Sequence, residues 1–221
     1  MTVDYNNYAK TFSNSRKNMK WEEITYFINY LDERQKTKDK SISILDVGCG
    51  NGRLLDSLKN SSFKFSNYLG VDLSSELLNE ARELHNGYEF LELDMTSLSK
   101  INKRFDIIFF IASFHHLHTF EERLDVLNNA KDLLNDNGLI FMTNWALNIG
   151  KNKGKYKDSI IKNTENKFGS YDYDIKIGKF SRFYHSFSIS ELEFIFEKLE
   201  FKIIENRLFD TEKNIISIIK K

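Results

Sequence analysis

The sequence predicts an α/β fold: a doubly wound, seven-stranded, mostly parallel sheet with helices on both faces and a helical flank at the N-terminus. Two observations support this prediction. Between about residues 42 and 145, β-branched apolar segments alternate with helical segments, which is the pattern of successive strand–helix–strand units with right-handed crossovers. After residue 188 a further helix precedes two strand candidates, which complete the seven strands as an antiparallel pair.

The predicted parallel core consists of five short strands with helices between them. Each strand candidate is rich in β-branched or aromatic residues, and the helix candidates carry apolar residues at helical spacing. The strands are Ser41–Val47, Tyr68–Val71, Tyr88–Leu93, Phe105–Ile111 and Gly138–Trp145, and the helices cover 52–60, 74–85 and 121–134.

Further elements flank this core on both sides. Residues 19–35 have the apolar spacing of an amphipathic helix that covers one face of the sheet. Ser188 and Glu191 have the spacing of a capping box, so a helix is predicted to begin there. Residues 149–181, by contrast, show no regular periodicity. The strand candidates that complete the sheet are Phe201–Arg207 and Asn214–Ile219.

Length and composition indicate one folded domain with a full hydrophobic core. The chain has 221 residues, of which 41% are hydrophobic, so it can bury a core, and its formal net charge is +0, so its surface as a whole is not basic. Without a long apolar run or a secretory signal, the sequence predicts a cytoplasmic protein with no membrane span. Cys49 is the one cysteine, which excludes an internal disulfide, and we expect no structural metal.

The most specific motif is a run of alternate glycines directly after the first strand. Gly48, Gly50 and Gly52 allow a tight turn and a close approach of the backbone to a ligand, ahead of a helix N-terminus. Their G-x-G-x-G spacing differs from the G-x-G-x-x-G of dinucleotide-binding loops, which disfavours a pyrophosphate ligand. A carboxylate ligand suits the loop equally well.

Two acidic residues end the next two strands. Asp72 follows Gly52 by twenty residues, and a carboxylate there can accept hydrogen bonds from ribose hydroxyls. Asp94 and Met95 end the third strand, where an acid can accept from an adenine amino group and a methionine can cover the ring. Singly these residues could be helix caps, but together they indicate a nucleoside-binding edge of the sheet.

The segment Ile44–Trp145 resembles the class I S-adenosylmethionine-dependent methyltransferases, which have a Rossmann-like fold. The turn before the fifth strand departs from that family, because residues 136–138 read Asp-Asn-Gly where Pro-Gly-Gly is usual, yet they keep the chemistry of a turn. The resemblance implies S-adenosylmethionine as the cofactor, with Asp46 and the glycines around its methionine part, Asp72 and Leu73 at its ribose, and Asp94 and Met95 at its adenine.

The segment after the fourth strand narrows the substrate class. Amine methylases of DNA and of protein glutamine carry Asn-Pro-Pro-Tyr there, whereas this chain has no proline and reads IASFHHLHT. His115, His116 and His118 would need carboxylates or a second cluster to form a metal site, and histidine is common as a polar residue at strand ends, so no metal is predicted. His116 is the candidate for a general base or a polar wall of the substrate pocket.

Three segments resemble the carboxyl methyltransferases that esterify 5-carboxymethyluridine at the wobble position of tRNA. They are YAKTFSNSRKNMKW, IASFHHLHTFEERLDVL and RFYHSFSISELEFIFEKLEF. The third contains Arg182, Tyr184 and His185 in the order that this family uses, although Phe183 replaces a tyrosine and Ile215 replaces the tryptophan of a closing Asn-Trp.

This second resemblance implies a tRNA partner and a set of catalytic residues. Arg182 would hold the substrate carboxylate, and Tyr184 and His185 would hydrogen-bond to or stack on the uracil. Because eukaryotic members act with a small zinc-binding subunit, it also implies such an activator. Residues 151–167 contain six lysines against Asp158 and Glu165, a local charge of six minus two, or +4, which suits either phosphate contacts or a solvated loop.

We therefore expect one methyltransferase domain over 1–221, with two alternatives for its function. The alternatives are a small-molecule O- or N-methyltransferase, in which His116 is the base, and a non-catalytic binding subunit of the same fold. The expected segments are a helical flank or lid at 1–40, the cofactor-binding core at 41–147, a substrate-contacting insert at 148–187, and a C-terminal helix with a strand pair at 188–221.

Overall fold

The computed structural model describes residues 21–35, 41–177 and 180–221. Within them the helices are α1 (Glu22–Arg34), α2 (Arg53–Lys59), α3 (Ser75–Leu84), α4 (Phe120–Leu133) and α5 (Ile189–Lys198). The strands are β1 (Ser43–Val47), β2 (Asn67–Asp72), β3 (Glu89–Glu92), β4 (Phe105–Ile111), β5 (Leu134–Trp145), β6 (Tyr171–Ile177), β7 (Phe180–Ser186), β8 (Lys202–Leu208) and β9 (Asn214–Lys220).

Seven strands form one sheet in the order β3-β2-β1-β4-β5-β9-β8. The pairs among β1 to β5 are parallel, and β9 lies antiparallel between β5 and β8. The predicted doubly wound sheet with its closing antiparallel pair is confirmed. The strand order reverses between β1 and β4, and a ligand site in such a sheet is expected at the carboxyl ends of the strands beside that reversal.

Two apolar layers cover the faces of this sheet. On one face, α1 and α2 bury Phe27 and Leu55 in the same cluster as Phe109 and Phe141 of the sheet. On the other face, α4 and α5 contribute side chains such as Leu192 to the second cluster. The predicted helix over 19–35 is therefore confirmed from Glu22 onwards, while residues 1–20, which include most of the first tRNA-enzyme-like segment, and residues 36–40 lie outside the described part of the chain.

The segment without predicted periodicity contains a separate two-stranded sheet. β6 and β7 pair as an antiparallel hairpin in which Tyr173 is opposite Tyr184 and Ile175 is opposite Arg182. The expectation of an irregular segment at 149–181 was wrong over β6. Its sequence, YDYDIKI, alternates apolar and charged residues with the period of a half-buried strand.

The turn predicted at residues 136–138 lies inside β5, which is longer than the predicted strand. β5 begins at Leu134, directly after α4, and its pairing with β4 shifts register between Phe105 and Ile107. Asn137 has a φ of 65°, a left-handed conformation that asparagine tolerates better than most residues. In the described ranges, no helix combines the length and apolar character needed to cross a bilayer.

Candidate active site

The glycine loop after β1 adopts the tight turn that its sequence predicts. Gly48, Gly50 and Gly52 have φ values of 76°, 55° and 83°, which side-chain-bearing residues rarely adopt. A Cβ on Gly48 would lie 2.5 Å from Cβ of Ser113, and one on Gly52 would lie 2.6 Å from Cδ2 of His85. Both the conformation and the available space therefore require glycine at these two positions.

Asp72 joins the glycine loop to the start of α3. Its Oδ2 accepts a hydrogen bond of 2.8 Å from the N–H of Gly50, and its Oδ1 accepts one of 2.9 Å from the N–H of Ser74. Burial raises the pKa of Asp72, whereas these N–H donors and the charge of Arg182 act to lower it. The backbone N–H of Leu73 is a third donor to this carboxylate, which has about four acceptor positions and so keeps capacity for a ligand hydroxyl. The side chain of Leu73 is 44% exposed.

Asp46 is a buried carboxyl group at the same edge of the sheet. It is 1% exposed, and its Oδ2 accepts a hydrogen bond of 2.7 Å from the hydroxyl of Tyr68. Its Oδ1 is buried and has no hydrogen-bond partner among the described residues. Burial raises the pKa of Asp46 to about 7, the Tyr68 hydrogen bond opposes this, and the charge of Asp72 adds to it. A cation next to Oδ1 would stabilise the ionised form.

Asp94 and Met95 lie at the carboxyl end of β3, as predicted. Asp94 is exposed and caps the short 3-10 helix Met95–Lys100, because its Oδ1 accepts hydrogen bonds from the N–H and the hydroxyl of Thr96 at 2.9 and 2.8 Å. Met95 is half-buried against the core. The cap that was one interpretation of Asp94 is therefore present, alongside the position expected for an adenine contact.

The loop after β4 forms the opposite side of the site. Ala112 has a φ of 52°, and its N–H donates to the carbonyl and the hydroxyl oxygen of Thr143 at 3.1 and 2.9 Å. The hydroxyl of Ser113 donates to the carbonyl of Val47 at 2.6 Å. These bonds attach the loop to β1 and β5, and His116 follows in a single 3-10 turn.

Four aromatic rings from three parts of the chain form a wall at this edge, hereafter the aromatic wall. Tyr184 of β7 stacks on Trp145 with centroids 4.9 Å apart and an interplanar angle of 7°. The ring centroids of His116 and His115 lie 4.7 and 5.2 Å from that of Tyr184. The sequence singled out His116 and Tyr184, whereas Trp145 and His115 were given no functional role. Their positions at strand or loop ends were the signal available.

Arg182 lies on the same face of β7 as Tyr184, since two residues separate successive side chains on one face of a strand. Its guanidinium carbon is 5.4 Å from the ring centroid of Tyr184, and the side chain is 9% exposed. Burial raises the pKa of Asp72, and the positive charge of Arg182 is among the influences that oppose this rise. The fold thus brings together Arg182, Tyr184 and His116.

His185 points to the opposite face of β7 and lies in a buried ionic network. Its Nδ1 is 2.6 Å from Oδ1 of Asp172, and its Nε2 is 2.8 Å from Oε2 of Glu191. Arg123 approaches Glu191 at 3.7 Å. Burial alone would raise the pKa of Glu191, but the hydrogen bond from His185 and its charge lower it below the ordinary value. His185 is therefore not brought to the aromatic wall beside Tyr184, because neighbouring strand residues face opposite sides.

Among the described residues, no three His, Cys, Asp or Glu side chains are grouped to hold a metal ion. His115 and His116 have other contacts. The Nδ1 of His115 accepts a hydrogen bond of 3.3 Å from the N–H of Trp145, and the Nδ1 of His116 lies 2.8 Å from the carbonyl oxygen of Phe183.

Comparison with known proteins shows what this fold is similar to. Residues 45–140 match the family model described as a methyltransferase domain. A solved structure of an S-adenosylmethionine-dependent methyltransferase from Clostridium acetobutylicum aligns with a TM-score of 0.67 and 17% identity, over 98% of both chains. Residues 45–140 thus resemble a methyltransferase domain, and the chain shares the fold of an S-adenosylmethionine-dependent methyltransferase.

More specific relatives are tRNA (carboxymethyluridine(34)-5-O)-methyltransferases. The protein of that name from Saccharomyces cerevisiae is 30% identical over 156 residues, which are 71% of this chain and 51% of the yeast protein. The one from Xenopus tropicalis is 32% identical over 154 residues, 69% of this chain and 22% of the frog protein. The chain therefore spans about half of the yeast relative and a smaller part of the frog relative.

Proposed function

We propose that this methyltransferase acts on the carboxylate of 5-carboxymethyluridine at the wobble position of tRNA. The observation that carries the proposal is the position of Arg182. The nearly buried Arg182 has its guanidinium carbon 5.4 Å from the ring centroid of Tyr184 in the aromatic wall, and its positive charge favours the ionised form of Asp72. Such a group suits the binding of a carboxylate beside the methyl donor, and the yeast and frog relatives carry the name of this activity.

The residues at the glycine loop fit S-adenosylmethionine. The buried Oδ1 of Asp46, which has no hydrogen-bond partner among the described residues, suits the cationic ammonium of the methionine part. Asp72 would accept from the ribose hydroxyls, and the exposed side chain of Leu73 would cover the nucleoside. In this proposal Asp94 and Met95 hold the adenine, as the first resemblance implies.

The chemistry of ester formation needs little from the protein beyond positioning. The cofactor supplies a sulfonium methyl group, which a carboxylate oxygen takes up as the carbon–sulfur bond breaks. A carboxyl group with an ordinary pKa is already ionised at neutral pH, so no general base is required. Arg182 would align one carboxylate oxygen with the methyl group, and the buried surroundings of its side chain would keep water away.

The aromatic wall would receive the uracil ring. Tyr184 and Trp145 supply flat apolar faces, and His116 supplies a polar edge. When the imidazole of His116 is neutral and Nδ1–H donates to the carbonyl of Phe183, Nε2 is the acceptor nitrogen of the ring. This tautomer suits a contact with an N–H of the base, so His116 acts as a polar wall in the proposed reaction and not as the general base.

The lysine-rich segment at 151–167 would contact the tRNA backbone. All six of its lysines are exposed. Contacts at its start hold it near the site: the N–H of Lys151 donates to the carbonyl of Glu212 at 3.0 Å, and Tyr156 stacks with Trp145 at 6.4 Å. Lysines beside the aromatic wall suit the phosphates that flank a bound base. The proposal does not include a zinc-binding subunit, which neither of the two named relatives' descriptions mentions.

The proposal is tested by methyl transfer from radiolabelled S-adenosylmethionine to tRNA from a strain that lacks the wobble carboxyl methyltransferase. Label that mild alkali releases as methanol identifies an ester, and Arg182→Ala should strongly reduce this label while cofactor binding persists. Arg104→Ala, at the amino end of β4, is the matched control and should retain activity. Alkali-stable label, or tight cofactor binding without labelled RNA, would contradict the proposal and favour another acceptor.

A further inference from the structure

A cavity lies behind the β6–β7 hairpin, on the face of β7 opposite Arg182 and Tyr184. Its volume is about 460 Å³, and its walls come from the end of the lysine-rich segment, the start of α4, and α5. The network of His185, Asp172 and Glu191 forms its inner side. The methyl-transfer chemistry described above uses none of these groups.

Three phenylalanines give this cavity an aromatic lining. The rings of Phe120 and Phe194 have centroids 6.2 Å apart, and those of Phe168 and Phe194 are 5.1 Å apart. Phe194 is 36% exposed, although it lies on a helix whose other large apolar side chains are mostly buried. An exposed phenylalanine among other partly exposed rings offers a stacking surface for a flat ligand.

The outer rim of the cavity is cationic. The Nζ atom of Lys167 lies 4.9 Å from the ring centroid of Phe168 and 4.8 Å from that of Phe194. Lys198 is also exposed and lines the cavity. The acidic groups Asp172 and Glu191, by contrast, lie on the inner side and are bound to His185. A ligand with an uncharged flat part and an anionic part at its edge matches this arrangement, whereas a fully anionic ligand would meet the inner carboxylates.

We propose that this cavity binds an unstacked nucleotide that neighbours the modified uridine in the RNA, with its base on the phenylalanine rings and its phosphate at Lys167 and Lys198. This inference rests on the proposed RNA substrate. His118 lines the cavity, and its ring stacks on that of Phe183 with centroids 4.0 Å apart. His116 and Tyr184, which come from the same two segments, belong to the aromatic wall. The two sites are thus separated by one strand, which suits consecutive nucleotides splayed onto either side of it.

The test measures the binding of a fluorescently labelled RNA hairpin with an anticodon-loop sequence to the full chain. Phe194→Ala should weaken RNA binding about tenfold, the usual effect of losing one base-stacking ring. Phe194→Trp, which keeps an aromatic ring, should bind RNA about as tightly as the unmodified chain. The matched control is Ile204→Ala, because Ile204 is 39% exposed on β8 and does not line the cavity. Cofactor affinity should be the same in all variants.

The outcomes separate this inference from the proposed function. Equal RNA affinity for Phe194→Ala and Ile204→Ala, or no hairpin binding by the unmodified chain, would overturn the nucleotide cavity. If RNA binding depends on Phe194 but no alkali-labile methyl group appears in tRNA, nucleotide binding in the cavity is supported and methylation of the wobble carboxylate is contradicted. If the ester forms at the same KM for tRNA in Phe194→Ala, the proposed function stands and the cavity does not bind RNA.

Discussion

Replacing Asp46 by asparagine should make the protein more stable at alkaline pH while weakening cofactor binding. The substitution keeps the shape of the side chain and an oxygen that accepts the hydrogen bond from Tyr68, but it removes the buried charge. It therefore isolates the free energy of ionising a carboxyl group that has been withdrawn from water.

The magnitude follows from the pKa of Asp46, which burial raises from 3.8 to about 7. Between these values the folded protein binds more protons at Asp46 than the unfolded chain does, so the free energy of unfolding falls as the pH rises. The full loss is about 4 kcal/mol, at about 1.4 kcal/mol per pH unit. Between about pH 5 and pH 7 the Asp46→Asn variant should therefore gain about 2 kcal/mol relative to the unmodified protein, with little further gain above pH 8.

Urea unfolding of both proteins over this pH range measures the difference, and Asp125→Asn, at an exposed position on α4, is the matched control. Calorimetry with S-adenosylmethionine measures the second consequence. Cofactor affinity of the unmodified protein should increase as Asp46 ionises through about pH 7, and the variant should lack this dependence. A stability difference that stays constant from pH 5 to pH 8 would refute the account of Asp46.

Three other substitutions test the remaining assignments. Asp72→Ala removes the acceptor for Gly50, Ser74 and the ribose, and should weaken cofactor binding by about 1–3 kcal/mol; an unchanged calorimetric affinity would contradict the ribose role. Arg182→Ala should reduce kcat/KM for tRNA with cofactor affinity intact, and a parallel loss of both would indicate a folding defect instead. Neutralising four exposed lysines should reduce the slope of tRNA affinity against salt concentration. The lysines are Lys151, Lys153, Lys155 and Lys157. An unchanged slope would indicate that the loop is solvated and does not contact tRNA.

The elements of the sheet could be predicted because each carries a local signal. The runs that form β1, β2 and β4 are short, apolar and bounded by turn residues, so their type follows from neighbouring residues alone. The hairpin of β6 and β7 was missed in part because β6 follows a long lysine-rich loop. Its alternating pattern is nevertheless local, and a search for period-two alternation would have found it.

Some residues of the candidate site could likewise be predicted from the sequence, and others could not. Gly48, Gly50 and Asp72 could be selected because a turn of this kind requires glycine, and because parallel strands bring their carboxyl ends to one edge. The separation of Tyr184 from His185 needed more information. A motif shows that the two residues are adjacent, but the side of the strand that faces the cofactor depends on what the hairpin packs against.

The sequence by itself determined the fold class, the glycine loop, its acidic partner and the resemblance to tRNA carboxyl methyltransferases, because these depend on local periodicity and short motifs. Only the tertiary structure decided that Arg182 lies beside the Tyr184 ring, that Trp145 and His115 join the aromatic wall, and that a cavity lies behind β7. Such contacts join residues that are far apart in the chain. Their geometry is set by the packing of whole elements, which no single segment of the sequence specifies.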